Sequence, residues 1–227
     1  MARELPVSVI VIDWQHWVHQ GDWTFNPTCW PDPQGMVDEL TSYGIELMTT
    51  FWPLQTVAST HWAQFNGSGY LAVLANGTSS PYDGSDQWLV DTTNANARAA
   101  MFDGFWQGYG RLGVRAVWLD AAEPEHFGGG LEGQWRLAAG TDGEVGMAWA
   151  QQHVRAFSEG FAGKGLGPSD VLLLPRHAWA GSWRYSAALW SGDIVSTFAE
   201  LQLQVRVLQG TMMSGVSLWT TDIGGWW

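Results

Sequence analysis

The sequence predicts an α/β fold built on a parallel sheet, and three observations predict it. Short apolar, β-branched runs recur along the 227 residues, helix-like stretches lie between them, and each run leads to a polar or aromatic side chain. Runs of about four to seven near-continuously apolar residues are what parallel strands buried on both faces look like. The intervening helices supply the crossovers that parallel strands need. Functional side chains at the carboxyl ends of successive strands point further, to a (β/α)8 TIM barrel, whose active site lies at that rim.

The elements follow in order. The first strand is expected over residues 7–12 and leads to Asp13. A helix over 33–43 opens on prolines, which suit a first helical turn, and carries Met36, Val37 and Leu40 on one face. The second strand, 45–51, leads to Trp52. Residues 53–91 are rich in Gly, Ser, Asn and Pro without a clear period, so an irregular excursion on the catalytic side is expected there. A helix over 94–109 precedes a strand over 114–119 that ends at Asp120. A glycine-rich turn at 128–130, a helix over 143–161 and a turn over 163–167 lead to a strand over 171–174, with Arg176 just beyond. Strand 187–190 leads to Asp193, helix 196–210 follows, and strand 216–220 leads to Asp222. That makes about six βα units where a closed barrel has eight, so residues 1–227 read as one domain, an incomplete barrel. A doubly wound open sheet is the alternative. Against it, no Gly-x-Gly-x-x-Gly follows the first strand, so nothing marks a dinucleotide site.

Composition narrows the partners. A formal charge of −12, with only 10 scattered Lys and Arg, argues against nucleic acid. No apolar stretch reaches membrane-spanning length, and residues 1–6 run directly into a strand signal without a signal-peptide pattern. The chain therefore reads as soluble, with its compartment open. The single cysteine, Cys29, excludes an internal disulfide. Asn66 and Asn76 open Asn-Gly-Ser/Thr sequons that matter only in a secreted protein. Seventeen tryptophans exceed what packing alone asks for. Trp14, Trp17, Trp52, Trp190 and Trp219 stand beside polar residues at strand ends, where indole faces can stack on the C–H faces of sugars.

The chemistry concentrates in Val117-Trp118-Leu119-Asp120-Ala121-Ala122-Glu123-Pro124-Glu125 and in Ala188-Leu189-Trp190-Ser191-Gly192-Asp193. Glycoside hydrolysis needs two acids at one rim, one ionised against the sugar carbon and one holding a proton for the leaving oxygen. Asp120 and Asp193 could equally cap helices, and by residue type alone Glu123 and Glu125 rival Asp120. His16 and His19 are three apart, but no carboxylate or third histidine with ligand spacing accompanies them, so no metal is expected.

These motifs, in this order, resemble glycoside hydrolase family 31, the α-glucosidase and α-xylosidase family. Trp118 to Pro124 resembles its nucleophile motif, and Trp190-Ser191-Gly192-Asp193 its acid/base motif. Arg176, Ala180-Gly181-Ser182 with Arg184-Tyr185, and Thr221-Asp222-Ile223-Gly224-Gly225 resemble the flanking segments. Ile12-Asp13-Trp14-Gln15-His16-Trp17, Asn26-Pro27 through Pro31-Asp32-Pro33, and Phe51-Trp52-Pro53 are most similar to the bacterial-type α-xylosidase branch. The resemblance implies Asp120 as nucleophile and Asp193 as acid/base, with no cofactor. It implies Asp13 and Arg176 on sugar hydroxyls, Trp14, Trp52 and Trp190 lining the pocket, and Asp222 supporting it. The implied function is a retaining, exo-acting α-xylosidase acting on an oligosaccharide or small α-glycoside. An α-glucosidase of the same family and a non-catalytic carbohydrate-binding remnant are the alternatives. Trp183 departs from the glutamine common before the Arg-Tyr pair, and the family's first and last barrel strands find no match. Open sheet edges would leave apolar surface exposed, so self-association is expected.

Overall fold

A computed structural model describes residues 6–81, 85–122 and 134–227. Its frame is a parallel sheet of β1 (Val9–Ile12), β2 (Glu46–Phe51), β6 (Ala116–Leu119) and β9 (Leu172–Pro175), hydrogen-bonded in that order. A parallel bridge between Leu173 and Ala187, with the Ala188 amide donating to Leu173 at 2.8 Å, carries the sheet on to β10 (Leu189–Trp190). That strand pairs in parallel with β11 (Trp219–Thr220). Six parallel strands thus follow one another in sequence order, each shorter at its start than the apolar run suggests.

The helices are α1 (Pro33–Ser42), α2 (Trp62–Gly67), α3 (Ala95–Gly108), α4 (Asp142–Gly163) and α5 (Phe198–Met213). Their starts are held by short polar side chains. Asp32 accepts from the Gly35 amide ahead of α1, Asn94 from Asn96 and Ala97 ahead of α3, and Thr197 from Glu200 ahead of α5. The stretch 53–91, together with residues 135–141, carries small local structure. β3 (Leu54–Gln55) pairs with β5 (Trp88–Leu89), and β4 (Val73–Leu74) pairs with β7 (Trp135–Leu137), which pairs in turn with β8 (Gly140–Thr141).

Strand side chains alternate between two environments. Leu47 and Phe51 of β2, Val117 and Leu119 of β6 and Leu173 of β9 face the helices and pack with Met101, Phe102 and Phe105 of α3 and Val154, Phe157 and Phe161 of α4. Phe51, Phe105 and Phe157 meet edge to face, with ring centroids 4.9 Å and 5.2 Å apart for the two pairs made by Phe157. Burying each ring stabilises the fold by about 1.5–3 kcal/mol, and such pairs add about 0.5–1.5 kcal/mol more. Helices α3 and α4 come so close that a Cβ on Gly160 would lie 2.2 Å from the Phe102 ring. The other set of strand side chains, Val11, Met48, Trp118, Leu174, Trp190 and Thr220, lines a cavity of about 350 Å³ inside the curve of the sheet.

One expectation needs correction. β1 is not buried on both faces, since Ile10 and Val11 are exposed, 39% and 47%. β1 lies at the sheet margin, with no strand beyond it among the described residues, so its apolar run meets solvent.

Candidate active site

The ladder hydrogen bonds place the site. Phe51 pairs with Leu119, and Leu119 with Pro175, so the next residues, Trp52, Asp120 and Arg176, stand side by side where three strands end. The Asp120 amide donates to Phe51 at 3.1 Å and the Arg176 amide to Leu119 at 3.0 Å, which fixes that register. At one margin Ile12 pairs with Thr49, setting Asp13 beside Thr50, and at the other Trp190 pairs with Thr220.

A single rule covers most of the rim. Asp13, Trp52, Asp120, Arg176 and Asp222 each lie two residues beyond a lumen-facing residue, namely Val11, Thr50, Trp118, Leu174 and Thr220. Period-two alternation therefore aims each of them inward as its strand runs out. Asp193 lies three beyond Trp190, and Gly192 supplies the extra residue in a left-handed turn, φ +74°. Ala121, directly after Asp120, is also left-handed, φ 48°, a conformation that costs a residue with a Cβ.

Arg176 ties the two candidate acids together. One of its terminal nitrogens lies 3.2 Å from Asp120 Oδ1 and 3.3 Å from Asp193 Oδ1. These two oxygens can therefore be no more than about 6.5 Å apart, within reach of the separations used in glycoside hydrolysis. The guanidinium also lies over the Trp190 ring, 4.9 Å from its centroid. Trp190 donates to Asp222 Oδ1 at 2.7 Å and meets Trp118 edge to face at 5.0 Å. On the other side the Trp52 indole donates to Asp120 Oδ2 at 3.1 Å. Trp14 stacks on Trp52 in near-parallel planes with centroids 5.1 Å apart. Burial raises the Asp13 carboxyl above its ordinary range, against hydrogen bonds from the Trp14 amide and Thr50 that favour its charge. Burial likewise raises Asp222, against the Trp190 hydrogen bond. Its Oδ2 is buried and has no hydrogen-bond partner among the described residues.

The profile of the glycosyl hydrolases family 31 TIM-barrel domain matches residues 1–227. The chain belongs to glycoside hydrolase family 31. Among its relatives, the uncharacterized family 31 glucosidase ORF2 of Pseudescherichia vulneris is 37% identical over 224 residues, which are 98% of this chain and 42% of that protein. Alpha-xylosidase A of Aspergillus niger is 32% identical over 256 residues, covering 99% of this chain and 34% of that one. The crystal structure of a GH31 alpha-xylosidase from a soil metagenome, complexed with xylose, matches with a TM-score of 0.91 and 38% identity, over 98% of this chain and 32% of that one. The chain thus spans about two fifths or less of the length of these relatives.

Within this family 31 barrel, the structure brings together Asp120, Arg176 and Asp193 by direct contact, Trp52 and Trp190 as the partners of Asp120 and Arg176, Asp222 behind Trp190, and Trp14 upon Trp52. Asp13 stands at the β1 end of the same rim. Glu123 and Glu125 lie outside the described residues. His16 and His19 do not act together: His16 is buried against Tyr109, and His19 pairs with Asp22 at 3.3 Å. Sequence reasoning passed over Thr50 and Trp118, whose inward phase could have been read by counting back two from Trp52 and Asp120. It also passed over the link from His16 to Tyr109, for which a separation of 93 residues leaves no sequence signal.

Proposed function

We propose that this barrel carries the catalytic site of a retaining, exo-acting α-glycosidase that removes terminal α-linked xylose. The observation that carries the reading is the shared Arg176 nitrogen, which holds two carboxyl groups at a spacing suited to nucleophile and acid/base. Retaining enzymes place these groups about 5–5.5 Å apart, whereas inverting ones leave about 6.5–9.5 Å for a water between them. In the proposed reaction Asp120 attacks the anomeric carbon while the bond to the leaving oxygen breaks, and Asp193 gives that oxygen its proton. The product is a glycosyl ester on Asp120. Asp193, now a carboxylate, takes a proton from water, which displaces Asp120 and releases the sugar with its configuration retained. Trp52 and Arg176 orient the Asp120 carboxylate and spread its charge before attack. Asp13 takes hydroxyls of the bound sugar, and Asp222 holds Trp190 as part of the wall. The chemistry as written uses two carboxyl groups and water.

The stacked indoles of Trp14 and Trp52 support the smaller sugar. Xylose lacks the hydroxymethyl group of glucose, and a rim narrowed by two aromatic planes favours the ring without it. The relatives that bear the name α-xylosidase support the same choice, while the family 31 glucosidase ORF2 supports the runner-up, an α-glucosidase. Paired aryl α-xyloside and α-glucoside substrates decide between them. The expected result, in the full-length protein, is a clear preference in kcat/KM for the xyloside, with the first-released sugar in the α configuration. Preference for the glucoside would remove the xylosidase reading, and no turnover of either would favour a carbohydrate-binding remnant.

A further inference from the structure

His16 is a fully buried histidine that the proposed chemistry does not use, and both of its ring nitrogens are engaged. Nδ1 lies 2.7 Å from the backbone oxygen of Asp13, and Nε2 lies 2.7 Å from the Tyr109 hydroxyl. A carbonyl oxygen only accepts, so Nδ1 carries the hydrogen. Burial lowers the imidazole to about 4, so it is neutral at working pH and Nε2 is bare. Tyr109 then has one role open to it, donation to Nε2. The phenol itself is fully buried at the C-terminal end of α3 and fixed in place.

The contact closes a strained turn. Gln15, between Trp14 and His16, sits in the left-handed region at φ 64°, where a side chain is unfavourable and persists only when its surroundings hold it. The bond from the His16 ring to Asp13 spans that turn, and the His16 carbonyl accepts from the Asn26 amide at 2.7 Å. Around the ring stand Trp17, Phe25 and Trp30, with centroids 4.6, 5.4 and 6.1 Å from it. The two residues gripped at the head of the turn are Asp13 and Trp14. Trp14 lies flat on Trp52, and Trp52 donates to Asp120.

We propose that His16 is a positioning residue, held in the Nδ1–H form by the Asp13 carbonyl and anchored at Nε2 by Tyr109, which sets where Asp13 and Trp14 stand at the sugar site. The proposal rests on the reading of Asp13 as a sugar-binding carboxylate. It extends the site from the rim to the outer helix layer, since a hydroxyl at the end of α3 then bears on groups that touch the substrate. A histidine that merely filled space would be replaced best by the side chain closest to it in volume.

Two substitutions separate these roles in the full-length protein. Asparagine places an amide N–H where Nδ1 stands, and glutamine places one near Nε2. His16→Asn is expected to keep kcat/KM on an aryl α-xyloside within about three-fold, because the link to Asp13 survives. His16→Gln is expected to lose about ten-fold or more, mainly through KM, because Asp13 is released while the volume is filled. Tyr109→Phe, which removes the anchor on Nε2, is expected to fall between them. Near-UV circular dichroism follows the Trp14–Trp52 stack independently of turnover: His16→Gln should weaken the signal that Trp14→Phe removes, and His16→Asn should not. Equal losses for the two His16 variants, or full activity in His16→Gln, would overturn the proposal. Asp13→Asn serves as the control for the reading beneath it: if that variant binds and turns over normally, the sugar-binding assignment fails, and the dichroism still judges the positioning on its own. Should the variants not fold, nitrogen-15 NMR of the unaltered protein decides. A protonated Nδ1 with a bare Nε2 is expected, and the reverse tautomer would sink the idea.

Discussion

The two flanks of this barrel are built from similar sequence and end in different states. On the β2–β6–β9 side, α3 and α4 bury Met101, Phe102, Phe105, Val154, Phe157 and Phe161 against the sheet. On the β10–β11 side, α5 buries only Gln204, while Phe198, Met213 and Ile223 stand 84%, 89% and 93% exposed. A helix gains most of its stability from the face it packs, so α3 and α4 are held by burial that α5, among the described residues, lacks. The candidate site straddles the divide. Asp120 and Arg176 rise from the packed side, Asp193 and Asp222 from the open one, and Arg176 is the tie across. What this teaches is that an apolar pattern announces a buried face without saying what buries it.

The largest expected effect tests the packed half of the site. Asp120→Asn should lower kcat on an α-xyloside by roughly 10⁴-fold or more, since no other group takes its covalent role. Asp193→Asn should spare the first step when the leaving group is a good one, such as a nitrophenolate, because that oxygen needs little protonation. Equal losses for both variants on such a substrate would sink the division of labour.

Next comes a matched pair in the two flanks. Phe157→Ala should destabilise the 227-residue polypeptide by about 3–5 kcal/mol, and Phe198→Ala by no more than about 0.5 kcal/mol, as read by denaturant unfolding at concentrations too low for self-association. Comparable values would mean that α5 is buried in solution and the contrast is false.

A third test uses pH. His153 on α4 is fully buried beside Phe51, Trp149 and Phe157, and burial lowers it from 6.5 to about 3. Below 6.5 the unfolded chain takes up the proton and the folded one does not, so the contribution is intact above about 6.5 and is lost as pH falls toward 3. His153→Phe should therefore flatten the acid limb of the stability curve by a few kcal/mol and leave the neutral value less changed. An unchanged acid limb would show that the ring is reached by water or by a partner.

The mildest effect concerns the open flank alone. The 227-residue polypeptide, produced by itself, should self-associate through its exposed apolar side chains and show little turnover. A monomer in sedimentation, with measurable α-xyloside hydrolysis, would show that this surface is closed in solution.

Much of this was legible in the sequence. Strand ends could be read because an apolar run stopping at a polar residue has one simple meaning, and the positions of Asp13, Trp52, Asp120, Arg176 and Asp222 follow from it. The helix over 33–43 was legible from its opening prolines, while Asn94 and Thr197, read as helical, turned out to cap α3 and α5 from outside. The β4–β7–β8 sheet was not legible, because two- and three-residue strands have no period and Val73 finds its partner at Arg136. Exposure at the β1 margin follows from the open sheet edges that an incomplete barrel was expected to leave, whereas that of α5 was not legible, since an apolar helix face reads the same with or without a neighbour. The grip of Tyr109 on His16 depends on tertiary placement that no local pattern encodes.

The two-residue step from lumen to rim makes the sheet a ruler. Shift β6 by one position and Leu119 would face the sugar while Asp120 pointed into the phenylalanines of the helix layer. A residue added or removed within any of these strands thus exchanges the lumen face for the greasy one, whereas one added at the exposed turn over residues 75–79 leaves the strand count untouched. The barrel is therefore rigid in its counting: turns at the surface can be rewritten, and strand lengths cannot.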